Sequence, residues 1–338
     1  MCGIAGVYLR DPEAKADLDG MLSTMLDEIE HRGGDATGFV AFGNEGVTEW
    51  QKAACDVRDF NKYRRLVPEG TRTILAHTRW ATQGLPAFVE NNHPLKRGSF
   101  FVIHNGHVSN DHKLFELAGR TRYGQVDSEA IPARFASLGK LGAAGQVMSE
   151  IVGAAAIAAV DEKAPADLVL ARGYQSPLHV LVTKRYVLWG STPATVKEAY
   201  EKHIGRLPRK TKIEAVKQGT VLHFKDGKLK RYSFKPYSPP KVSYTLPNVT
   251  LPWKEVTPQP ISQLSKSWDW KDEEMLDCDE CGASVAWKDM EYRWDTDTSM
   301  TVHLCSDCDS LWEYQTEGAK LHQPFEIVNG VILDEDAE

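Results

Sequence analysis

The sequence predicts an α+β layered domain followed by a small cysteine-bearing module. Three observations carry that expectation. Strand-like apolar runs are interspersed with amphipathic helix patterns over about the first 235 residues, seven of the 17 prolines fall between positions 236 and 260, and two Cys-x-x-Cys pairs follow. Many strands with interspersed helices imply sheets covered by helices. Proline removes a backbone donor and stiffens the chain, so residues 236–269 read as an extended linker.

The elements follow in order. Residues 2–9 read as a buried strand, and Leu18, Met21, Leu22, Met25, Leu26 and Ile29 repeat at the spacing of one helix face. Strand runs come at Gly38–Phe42, Thr73–His77 and Phe100–His104, and helix patterns at Asp111–Ala118 and Ser128–Ser137. A second strand group comprises Ala154–Val160, Leu168–Ala171, Val180–Thr183 and Tyr186–Trp189, before a helix at Pro193–His203. Thr220–Phe224 and Lys228–Phe234, joined through Asp226-Gly227, read as a hairpin that closes the first domain. The expected organisation is a domain over 2–235, the linker over 236–269, a small domain over 270–325 and an acidic tail over 326–338.

Composition narrows the function classes. With 42% hydrophobic and 26% charged residues the chain has the make-up of a globular protein. No run of about 18 apolar residues is present, so no membrane partner is expected. The opening MCGIAGVYLRDPEA lacks a basic leader, and Arg10 and Asp11 cut its apolar stretch short, unlike a signal peptide. Six cysteines, four of them in Cys-x-x-Cys pairs, fit metal binding in a reducing, cytoplasmic setting better than a disulfide scaffold. Charge is uneven: residues 270–338 hold 4 Lys and Arg against 19 Asp and Glu. That balance argues against nucleic acid, whose binding rests on neutralising phosphates.

Cys2 carries both a thiol and, once Met1 is removed, a free α-amine. Such an amine titrates near 7.7–8.0, so one residue supplies nucleophile and base. Taken alone, Cys2 reads first as an apolar residue on a buried strand. Its company changes the reading. Met1-Cys2-Gly3-Ile4, His31-Arg32-Gly33-Gly34-Asp35-Ala36-Thr37-Gly38, His77-Thr78-Arg79-Trp80-Ala81-Thr82-Gln83-Gly84, Asn92-His93-Pro94, His104-Asn105-Gly106 and Asp127-Ser128-Glu129 occur in this order. Together they resemble the class II glutamine amidotransferase domain, an N-terminal-nucleophile glutaminase, over about residues 2–235. The resemblance is strongest to the glutaminase half of glutamine–fructose-6-phosphate aminotransferases.

The resemblance implies a four-layer αββα sandwich and a role for each matched position. Arg79 would bind the α-carboxylate of glutamine, as a guanidinium fork suits a carboxylate, and Thr82 would add a hydroxyl. Asp127 would pair with the α-ammonium. Asn105 and Gly106 would form the oxyanion hole from a side-chain amide and a backbone N–H; alone, Asn-Gly reads as a hairpin turn. Arg32 and Gly33 would line the nucleophile, and Trp80 would sit near the ammonia exit or in the core. Two positions depart from the hexosamine-type pattern: Gly34 stands where a Tyr is usual and Gln83 where a His is usual.

The implied chemistry is attack of the Cys2 sulfur on the γ-amide, release of ammonia, and hydrolysis of a γ-glutamyl thioester. No P-loop or sugar-phosphate isomerase half is recognisable, so a separate ammonia-accepting synthase or amidoligase is the expected partner. Two competing readings are a stand-alone amidase for another γ-glutamyl-type amide and a non-catalytic interaction protein on this fold. In the second module, Cys278-x-x-Cys281 and Cys305-x-x-Cys308 lie 23 residues apart. This is the spacing of a zinc ribbon, with a closed four-thiolate structural Zn²⁺ and no organic cofactor expected. A dithiol redox pair or an iron–sulfur site is the other reading. The remaining Cys55 reads as an inert core thiol.

Overall fold

The computed structural model describes residues 2–11, 13–208 and 211–239, together with the backbone of four short strands between 275 and 305. The first of two compact units reaches Ser238. Its chain order is β1 (Gly3–Leu9), α1 (Leu18–Ile29), β2 (Ala36–Phe42), β3 (Val47–Ala53), α2 (Val57–Tyr63), β4 (Thr73–Arg79), β5 (Leu95–Arg97), β6 (Phe100–Val108), α3 (Asp111–Ala118), α4 (Ala130–Leu138), α5 (Ala144–Glu150), β7 (Gly153–Asp161), β8 (Ala164–Arg172), β9 (His179–Val182), β10 (Tyr186–Gly190), α6 (Pro193–His203), β11 (Glu214–Ala215), β12 (Thr220–Lys225) and β13 (Lys228–Ser233).

The strands form two antiparallel sheets. One has the order β11-β9-β10-β1-β4-β2-β3 and the other β13-β12-β8-β7-β6-β5. β1 lies inside its sheet with every residue buried, since both faces are covered. Ile4, Tyr8, Val40, Leu75, Phe101, Ile103 and Ala158 fill the space between the sheets. The outer face of the first sheet packs Met21, Leu22, Met25 and Ile29 of α1 with Val196 and Ala199 of α6. The outer face of the second packs Leu114 of α3, Ile131 and Phe135 of α4, and Val147 of α5. The unit is therefore the four-layer αββα sandwich.

Local sequence explains the helix ends. The Asp17 side chain accepts the Gly20 N–H ahead of α1, and Thr192 caps α6 with Pro193 next. Gly119 and Gly139 stop α3 and α4 in the left-handed conformation.

Most expected elements occur with small shifts. The helix expected at Ser128 opens instead as a 3-10 turn over Asp127–Glu129, with α4 starting at Ala130. Strand β6 runs on through Asn105 and Gly106 to Val108, which corrects the hairpin-turn reading of that dipeptide. Val47–Ala53, Val57–Tyr63 and Ala144–Glu150 are elements the periodicity does not announce. No helix of the described residues is long and apolar enough to cross a membrane.

In the second unit, β14 (Met275–Asp277) pairs with β15 (Ser284–Ala286), and β16 (Met290–Asp295) pairs with β17 (Met300–Cys305), both antiparallel. Cys278, Cys281 and Cys308 lie outside the described residues, and Cys305 is described only as the last backbone position of β17.

Candidate active site

Cys2 precedes β1, so the central strand of the first sheet carries the thiol to one end of the sandwich. The half-buried Cys2 thiol donates to the Trp80 carbonyl at 3.7 Å, and Arg32 Nε donates to the Cys2 carbonyl at 3.0 Å. Gly33 lies against the Arg79–Trp80 backbone so closely that a Cβ would stand 2.4 Å from the Arg79 carbonyl carbon. Burial pushes the thiol's pKa up, while the charge of Arg79 lowers it and that of Asp127 raises it. A raised pKa leaves the thiol protonated at neutral pH, so attack requires a base.

Arg79 ends β4 beside β1 and is 3% exposed. Its guanidinium donates to Asn92 Oδ1 at 2.9 Å and to the carbonyls of Gln83 at 2.5 Å and Gly84 at 2.6 Å. The loop after β4 is thus folded around its own arginine. Trp80 is 55% exposed, which excludes the core reading, and Thr82 is exposed as well. Gly34 is also exposed, with open space where a side chain would extend.

The facing sheet contributes β6. Asn105 is 1% exposed, and neither its amide nitrogen nor its oxygen has a hydrogen-bond partner among the described residues. A buried unpaired amide costs about 1–3 kcal/mol, so its persistence calls for a use. Gly106 has φ +146°, and a Cβ there would stand 1.9 Å from the Ala154 carbonyl oxygen, so only glycine fits. Asp127 is tied to the end of this strand, its Oδ2 accepting the Val108 N–H at 2.5 Å.

Three histidines that sequence reading assigned no role stand behind these groups. His77 Nε2–H donates to the His104 carbonyl at 3.0 Å and joins the two sheets. Burial lowers its pKa to about 3, so it is neutral. His104 Nε2–H donates to the Ala154 carbonyl, leaving Nδ1 to accept the Ser128 hydroxyl at 2.8 Å. His93 stacks on His77 with ring centroids 4.0 Å apart. All three were visible as members of motifs, but the bond from His77 to His104 joins strands of facing sheets and is set only by their packing. Among the described residues no cluster of His, Cys, Asp or Glu could hold a metal ion.

No family model matches the chain. By sequence it is similar to glutamine–fructose-6-phosphate aminotransferases: that of Haemophilus influenzae at 32% identity over 186 residues (53% of this chain, 29% of that protein), and that of Symbiobacterium thermophilum at 35% over an alignment of the same extent. The Lactococcus lactis protein matches at 30% over 212 residues, covering 60% of this chain and 34% of that one. The chain thus spans about a third of the length of these relatives. By fold it is similar to the glutamine phosphoribosylpyrophosphate amidotransferase of Bacillus subtilis, at a TM-score of 0.56 and 18% identity, over 69% of this chain and 49% of that one. The sequence comparison thus returns aminotransferases of the kind whose glutaminase half the sequence resembles, and the fold comparison returns a glutamine amidotransferase.

Proposed function

We propose that the first unit hydrolyses glutamine to glutamate and ammonia. Met1 is removed, and the Cys2 α-amine takes the thiol proton as sulfur attacks the γ-amide carbon. Ammonia leaves with that proton, and water then cleaves the γ-glutamyl thioester. In this reading Arg79 and Thr82 receive the α-carboxylate, Asp127 the α-ammonium, and Asn105 and the Gly106 N–H the oxyanion. Arg32 and Gly33 shape the wall beside the thiol. The ammonia passes to a separate synthase or amidoligase.

The supporting observation is the Asn105 amide, buried and without a partner on the same strand end that holds Asp127. A buried donor without a ground-state partner among the described residues suits a charge that exists only in the transition state. The test is glutamate release from glutamine by protein whose processed N-terminus has been checked by mass spectrometry. Turnover is expected from that protein, and none from Cys2→Ala or from a chain with residues added ahead of Cys2. Full turnover by either altered chain overturns the proposal.

We further propose that Cys278, Cys281, Cys305 and Cys308 hold one structural Zn²⁺. The support is the spacing, with the first pair falling in the connection between β14 and β15 and the second beginning at the end of β17. Elemental analysis should find about one zinc per chain, lost in Cys281→Ser. Retention of zinc by that variant excludes the four-thiolate site.

A further inference from the structure

A lysine that no motif contains touches the same residue, Asn92, as the candidate site's arginine. In the first sheet Lys52 pairs with Gly38, Gly38 with His77, and His77 with Ile4. Laterally paired residues share a face. Ile4 belongs to the core between the sheets, so Lys52 projects into that core. It is 8% exposed, and among the described residues it forms no ion pair. Its ammonium donates to the Asn92 carbonyl at 2.8 Å and reaches the Pro94 carbonyl at 3.5 Å.

Those carbonyls flank His93, whose own carbonyl presses on Gly38, where a Cβ would lie 2.2 Å away. Residues 92–94 are therefore a strap laid across the inner face of the sheet. It is gripped by Lys52 on one side and stacked on His77 through His93 on the other. From the strap the Asn92 side chain donates to the Pro86 carbonyl at 2.7 Å and accepts from Arg79 at 2.9 Å.

We propose that Lys52 is a positioning residue for substrate: by fixing the strap it fixes Asn92, and through Asn92 the guanidinium of Arg79. This rests on the reading of Arg79 as the group that receives the α-carboxylate of glutamine. Stability does not explain the lysine. An apolar side chain of similar length would fill the space without the desolvation of a buried amine, so a polar group kept there needs another use. Burial lowers its pKa to about 7, with Glu90 and Glu129 opposing and Arg79 adding to the shift. Charged or neutral, the amine keeps N–H donors for the strap.

The experiment compares the full-length wild type with Lys52→Met and Lys52→Arg. The readouts are steady-state glutamine hydrolysis and alkylation of Cys2 by iodoacetamide, which has no amino-acid end for Arg79 to bind. In Lys52→Met the KM for glutamine should rise about tenfold to a hundredfold, as misplaced binding groups do, with kcat within about threefold. Iodoacetamide should react at the wild-type rate, and Lys52→Arg should bring KM most of the way back to the wild-type value. An unchanged KM in folded Lys52→Met overturns the proposal. So does a raised KM accompanied by parallel falls in kcat and alkylation rate, which marks general damage. If Lys52→Met does not fold, Asn92→Ala decides: a raised KM with normal alkylation supports the relay, and an unchanged KM refutes it. A wild type that alkylates at Cys2 but releases no glutamate overturns the glutaminase reading and this inference together. A working wild type with an indifferent Lys52 and Asn92 overturns this inference alone.

Discussion

The two sheets bring different kinds of group to the candidate site. On the first sheet Arg79 already donates to one amide oxygen and two carbonyls, and the Cys2 thiol and carbonyl each have a partner. On the second sheet the Asn105 amide is buried without a partner among the described residues, one residue before a glycine with positive φ. A saturated network holds geometry but gains little when charge develops nearby. An unpaired donor gains most at that moment. In the proposed reading, the arginine that receives the carboxylate and the amide that receives the oxyanion therefore come from opposite sheets, with Asp127 tied to the second.

Substitutions can break or sharpen this division. The largest effect is expected at Asn105. Asn105→Ala should lower kcat for glutamine by about 10²–10³ with little change in KM, because the lost donor acts only on the oxyanion. Equal losses in binding would erase the contrast between the sheets. Next comes Arg79→Lys, which keeps the charge but loses the planar fork and its three acceptors. KM should rise at least about tenfold while kcat falls less. A kcat-dominated loss there would place the guanidinium with the catalytic rather than the binding groups.

The smallest effect concerns the His77–His104 bridge between the sheets. The folded-state pKa of His77 is about 3, below the ordinary 6.5, so the unfolded chain binds more protons between those values. Its contribution to stability is therefore complete above about pH 6.5 and is lost as pH falls toward 3. Thermal unfolding midpoints should drop across that window. The drop should be shallower in His77→Gln, which cannot take up the proton. An identical slope in the variant would remove His77 from the acid response.

Much of this was legible in the chain itself. The helix stripe from Leu18 to Ile29, with Asp17 at its head, is local chemistry, and so is the cap of Thr192 and Pro193. The ordered segments from Cys2 to Glu129 pointed to the glutamine amidotransferases that the comparisons return. Other parts were not legible. Val47–Ala53 alternates poorly because its first half is exposed and its second half buried, so β3 and its lysine gave no periodic signal. Asn105-Gly106 looked like a turn because local propensity favours one, but pairing with Ala155 and Ala156 of β7 overrides it. By contrast, the reading of Cys55 as an inert core thiol fits its place, half-buried against the outer-face core with its pKa raised by burial to about 12.

By itself the sequence determined the periodic elements, their caps and the identity of each reactive group, because these depend on residues a few positions apart. The tertiary structure alone decided which groups are satisfied and which are left open. It joined Lys52 to Arg79 through Asn92, with 26 residues of chain between the two, and left Asn105 without a partner among the described residues. Hydrogen-bond partners and desolvation are properties of the space between two sheets, and that space exists only once distant strands have packed.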